Sequence, residues 1–78
     1  MKSNKEQVIE LLNEYQDYMG NNRKGGAILN KLSNLLKGHK NNEINNISGN
    51  FAYFRENRMK AYDMSLRWDI DTLRKIYS

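Results

Sequence analysis

Few residues in this chain could carry out catalysis, and each has a simpler use. His39 is the single histidine, set in a Gly38-His-Lys-Asn run with no second ligand type at metal spacing. There is no cysteine, which excludes a thiol nucleophile and a thiolate metal site. Asp69 and Asp71 are two positions apart. On a helix such residues point in different directions and do not flank one reacting atom. No serine or threonine has a general base beside it in the sequence. The chain therefore reads as non-enzymatic, with no metal and no cofactor.

Two stretches carry the chemistry of recognition instead. Phe51-Ala-Tyr-Phe-Arg-Glu-Asn-Arg-Met-Lys60 interleaves aromatic and basic residues. Read as one helix continuing to Tyr77, it sets Tyr53, Asn57, Lys60, Met64, Arg67 and Trp68 on the side away from the apolar stripe, with Arg55 and Arg58 flanking. Tyr, Trp and Arg dominate protein-binding hot spots, so these eight residues form the candidate partner-binding face. The same ingredients suit base stacking and phosphate contact, which makes nucleic acid the alternative partner.

The second stretch holds Arg23, Lys24, Gly25 and Gly26 just before an expected helix start, with Lys37 at the far end of that helix and Lys40 beyond it. Free backbone N–H groups at a helix N-terminus favour an anion, so these six are candidate anion or nucleic-acid contacts. The spacing is not that of a nucleotide-binding loop, and no strand precedes it. A helix-turn-helix with Gly38 at the turn would place Ile44 and Ile47 well. It would also put Asn34, Lys37 and His39 where small or apolar residues belong.

The elements that must position these residues can be read from spacing. Ser3-x-x-Glu6 is a capping box, and Val8, Leu11, Leu12, Tyr15, Tyr18 and Met19 come after it at helical spacing up to Gly20. Glu6, Glu10, Glu14 and Asp17 share the other side as a solvated acidic stripe. Gly20–Gly26 reads as a loop by composition. Ile28, Leu29, Leu32, Leu35 and Leu36 then make a second amphipathic helix. Five asparagines within residues 38–50 point to turns and caps, with Ile44 and Ile47 allowing a turn of helix. From Asn50 to Tyr77 the pattern supports one long helix, reinforced by Glu56–Lys60, Asp63–Arg67 and Asp71–Lys75 at i, i+4. Asp69 offers an alternative break.

The expected fold is all-α: a small domain of three helices near residues 4–19, 27–37 and 50–77. Its expected core is Val8, Leu11, Leu12, Tyr15, Met19, Ile28, Leu32, Leu35, Leu36, Phe51, Phe54, Tyr62, Leu66 and Leu73. A 28-residue helix spans about 42 Å, more than the two shorter helices cover. Trp68, Leu73, Ile76 and Tyr77 would then stay wet, so a symmetric homodimer through the C-terminal halves is expected.

Size and charge agree with a binding module. Seventy-eight residues make one domain with a thin core, which association would help. The net charge of +4 is uneven. Residues 1–19 set Lys2 and Lys5 against four acids, for −2, whereas residues 20–40 hold five bases and no acid, for +5. That basic excess can attract an acidic partner without reaching the density of a nucleic-acid-binding tail. No apolar run is long enough for a membrane span, and the N-terminus lacks the character of a signal peptide. A cytoplasmic binding module of regulator or inhibitor type, docking on a protein, is the leading expectation.

Overall fold

A computed structural model describes residues 2–78. Its first helix, α1 (Asn4–Tyr18), begins at the expected cap, where Glu6 N–H donates to Ser3 Oγ at 3.2 Å. Only half of the box forms, since the Glu6 carboxylate meets the Ser3 hydroxyl rather than the Ser3 N–H. Val8, Leu12 and Tyr15 face inward, while Glu6, Glu10, Glu14 and Asp17 are exposed.

The second helix starts earlier than composition suggests. α2 (Asn22–Leu36) is capped by Asn21, whose side chain accepts from Lys24 N–H at 3.1 Å. Gly25 and Gly26 therefore lie inside a helix and are buried. Interior glycine costs a helix about 1 kcal/mol relative to alanine, so packing must offset it. What packs there is the segment between the third and fourth helices. A methyl group on Gly25 would stand 3.2 Å from Ala61 Cβ and 3.1 Å from the Tyr18 carbonyl oxygen. One on Gly26 would stand 3.0 Å from Phe54 Cζ and 2.9 Å from Arg55 Nη2.

The asparagine-rich stretch is a helix in its own right. α3 (Asn42–Ala52) starts where the Asn41 side chain accepts from both Glu43 and Ile44 N–H. Ile44, Ile47, Ser48 and Phe51 face the core, and Asn42, Asn45, Asn46 and Asn50 stay exposed. α2 and α3 meet at paired serines. Ser33 Oγ donates to Ser48 O and Ser48 Oγ to Ser33 O, each at 2.9 Å, so both buried hydroxyls are satisfied.

The expectation of three helices with one long C-terminal helix is overturned: the domain is a four-helix bundle. The break falls neither at Asp69 nor at a glycine. α3 ends at Ala52, and the chain makes a further turn that closes on Arg58 in the left-handed region at φ 59°. Arg58 N–H donates to Arg55 O and Met59 N–H to Phe54 O, the paired bonds of a Schellman ending. α4 (Met64–Tyr77) then starts afresh, with the Asp63 side chain accepting from Ser65 N–H at 3.1 Å.

This connection, residues 53–63, is bolted down. Phe54 and Ala61 are fully buried. Ala61 N–H donates to Asn22 Oδ1 at 2.6 Å, and Ala61 O accepts from the buried Tyr15 hydroxyl. Burial raises the Tyr15 phenol above its ordinary pKa, an effect the nearby Arg67 charge opposes. α4 is held to α1 by Arg74, whose Nη2 donates to Leu12 O at 2.8 Å.

Ten of the fourteen expected core residues are buried, and Leu11, Met19 and Leu35 pack at its edge. Tyr62 is the exception, an exposed ring beyond the pinned Ala61. Leu29, Ile44, Ile47, Ala61 and Ile70 complete the core. The expected i, i+4 ion pairs do not form; among the described residues the one ion pair is Lys2–Glu10, at 2.6 Å. Glu56 and Lys60 are not even on a helix. Among the described residues, no helix is long and apolar enough to cross a membrane.

Candidate docking surface

Breaking the long helix divides the expected partner-binding face. Tyr53, Arg55, Asn57, Arg58 and Lys60 lie on the α3–α4 connection, and Met64, Arg67 and Trp68 lie on α4. Tyr53 is well exposed but lines none of the depressions that Trp68 borders. Arg55 turns back onto the bundle, with its guanidinium 5.4 Å from the Phe54 ring and its tip against Gly26. Arg58 and Lys60 are exposed. Asn57 alone of the five borders the same groove as Trp68.

The α4 residues form a ridge. Trp68 is 70 % exposed and Met64, one turn earlier, 57 %. Both belong to a helix whose other side anchors the core through Leu66, Ile70 and Leu73. Three depressions meet at Trp68. Toward α1, a groove of about 220 Å³ is walled by Tyr15, Met19, Met64 and Arg67. Toward α3, one of about 310 Å³ is lined by Asn57, Met59, Leu66 and Asp69. Along the outward side of α4 itself, a hollow of about 290 Å³ is lined by Trp68, Asp71, Thr72 and Lys75.

Polar groups around the ridge are partly satisfied. Arg67 Nη2 lies 3.6 Å from Met64 Sδ, and Arg67 Nε is buried with no hydrogen-bond partner. Asp69 accepts from Asn50 Nδ2 at 3.0 Å, tying α4 to α3. Burial lifts the Asp69 carboxyl above the ordinary aspartate value, and the Asn50 hydrogen bond partly offsets this.

The candidate anion contacts are not gathered at one place. Arg23 and Lys24 occupy the first turn of α2, with Lys24 Nζ 4.9 Å from the Tyr18 ring centre. Lys37 and Lys40 lie past the other end of the helix, about 20 Å away along its axis. Gly25 and Gly26 are covered by Ala61, Phe54 and Arg55. Gly38 does adopt a positive φ of 75°, as a turn glycine after α2 should. His39 Nδ1 accepts from Asn41 N–H at 3.0 Å and so helps shape that turn.

Sequence reasoning misses the hollow on α4. It pairs Asp71 with Lys75 on a solvated face, although with Trp68 and Thr72 they occupy the i, i+3, i+4, i+7 positions that surround a socket on a helix. The class that the fold defines is a small all-α four-helix bundle with an exposed aromatic ridge. No protein-family model, curated protein or solved structure matches the chain.

Proposed function

We propose that this chain is a non-enzymatic binding module of regulator or inhibitor type, docking on another protein through the Met64–Trp68 ridge of α4. The observation that carries this reading is Trp68. A bundle this small has few large apolar side chains, and it leaves its only tryptophan 70 % exposed on α4 between three depressions. Tryptophan is enriched among the residues that supply most binding energy at interfaces. Exposed large apolar side chains grouped together, rather than scattered singly, mark interaction surfaces. The cytoplasm is the compartment proposed for this role.

The experiment compares wild-type protein with Trp68→Ala in affinity capture from host lysate and in thermal melting. A hot-spot residue should weaken capture by about 2 kcal/mol or more. An exposed ring contributes little to the fold, so the melt should stay put. Equal capture by both proteins would remove the ridge from the reading.

A second reading, nucleic-acid binding, draws on the exposed outer face of α2. Arg23, Ala27, Asn30, Lys31 and Asn34 share it, and it carries bases without acids. If Arg23 and Lys24 neutralise phosphates, replacing both with alanine should flatten the log–log salt dependence of binding by roughly two units. Absence of any shift of DNA or RNA at low salt would eliminate it.

A further inference from the structure

Taking the α4 ridge as a docking surface, we infer that its occupant is a second copy of this chain, bound antiparallel with Trp68 of each copy seated in the hollow of the other. Met64, Trp68, Asp71 and Lys75 are spaced by four, three and four residues, the repeat of a coiled-coil seam. None of the four is buried by the bundle. Such a seam works by knobs entering holes, each hole framed by residues at i, i+3, i+4 and i+7 of the facing helix. The hollow on α4 is framed in that way by Trp68, Asp71, Thr72 and Lys75. Knob and hole thus share one strip of one helix. A twofold axis crossing between Trp68 and Asp71 brings each knob to the other copy's hole, as an isologous interface requires.

The charges choose the direction. In an antiparallel pair, Trp68 faces Asp71 and Thr72 of the second copy, and Met64 faces its Lys75. The indole N–H then has a carboxylate acceptor, and the lysine stem covers the methionine while its ammonium stays in water. In a parallel pair Asp71 would meet Asp71 and Lys75 would meet Lys75, like charge on like charge. The strip is about 16 Å long, from Met64 to Lys75. One helix per copy buries less than a standard interface, so the dimer is weak and concentration-dependent.

Sedimentation equilibrium from low to high micromolar concentration tests the dimer. Wild type should shift reversibly from monomer to dimer, and Trp68→Ala should stay monomeric, with a melt equal to wild type in dilute protein, where both are monomers. Because the chain has no cysteine, orientation can be read by disulfide trapping. A mixture of Met64→Cys and Lys75→Cys proteins should cross-link into the mixed species, with little product from either protein alone. A monomeric wild type at every concentration overturns the inference, as does a dimer whose mass Trp68→Ala leaves intact. Equal trapping by each single variant on its own overturns the antiparallel arrangement. A monomer that still loses its captured proteins on Trp68→Ala sinks the second copy alone and leaves ridge docking in place.

Discussion

The α3–α4 connection and the outer face of α4 contain similar residues, but the connection buries two of its apolar side chains, Phe54 and Ala61, while leaving Tyr53 and Tyr62 exposed, and the α4 face buries neither Met64 nor Trp68. Both mix large apolar or aromatic side chains with arginine, lysine and acids, and both stand out in the sequence as recognition surfaces. In the connection, Phe54 and Ala61 turn inward, Ala61 is fixed through both of its backbone groups, and the Arg55 guanidinium reaches Gly26 on α2. On α4, Met64 and Trp68 turn outward and stay exposed. The difference comes from what each faces. Two glycines on α2 open a seat for the connection, whereas no other described segment of the chain covers the outer face of α4. Residue type marks a stretch as adhesive; whether the chain itself satisfies it depends on the partners that the fold brings near.

The contrast can be broken most forcefully at Phe54. Its ring is fully buried against Gly26, so Phe54→Ala should destabilise the domain by about 3–5 kcal/mol, read by urea denaturation. A loss below about 1 kcal/mol would mean that the connection is merely draped over the bundle. Gly25→Ala is the milder probe of the same seat. Its new methyl group would press on the Tyr18 carbonyl and on Ala61 Cβ, neither of which moves freely. Overpacking of about 1–3 kcal/mol should outweigh the roughly 1 kcal/mol gained in helix propensity, leaving a net loss.

Arg58→Gly should act in the opposite direction. Arg58 occupies the left-handed position of a Schellman ending, where glycine has no Cβ penalty. Stability should rise by up to about 1 kcal/mol, the left-handed penalty less the added freedom of the unfolded chain. An unchanged or lower midpoint would show that the arginine side chain holds the turn.

A smaller effect is expected at Asp69, where burial raises the carboxyl pKa. A group with a raised folded-state pKa stabilises the fold fully below its unfolded value and loses that contribution as pH rises through the folded one. Near neutral pH the ionised carboxylate is therefore unfavourable. Asp69→Asn should raise Tm near neutral pH and give no such gain in acid, with Asn50 still able to donate to the new amide oxygen. A gain that persists unchanged in acid would exclude the carboxylate charge as its cause.

Trp68→Ala should have the smallest effect on stability, within about 0.5 kcal/mol in dilute protein. A large drop in Tm would bring the ring into the core and erase the contrast between the two regions.

Much of the fold is legible from periodicity. The stripes of α1, α2 and α4 place Val8, Leu12, Tyr15, Ile28, Leu32, Leu36, Leu66 and Leu73 inward, because an amphipathic helix has one way to hide its apolar face. The Ser3 cap needs only neighbours in sequence, and so does the turn at Gly38. The ends of α3 are harder to read. Phe51, Phe54 and Ala61 repeat at helical spacing and are all buried, yet the chain leaves the helix between them. A folded connection and a continuous helix can bury the same three residues, so hydrophobic spacing does not tell them apart. Arg58 carries no turn signal, since the left-handed conformation it adopts is one that arginine does not favour.

For the candidate surfaces the balance reverses. Composition by itself selects Trp68 and Met64 as unusual for a small helix, and their spacing places them off the core stripe. It equally selects Gly25 and Gly26, two small flexible residues beside two cations. Only the tertiary structure separates the cases, because what a glycine makes room for is a neighbour remote in sequence. Ala61 lies 36 residues after Gly25, and no local pattern connects them. The sequence determined which side of each helix is apolar. Long-range packing decided which adhesive residues the chain satisfies within itself and which it leaves exposed.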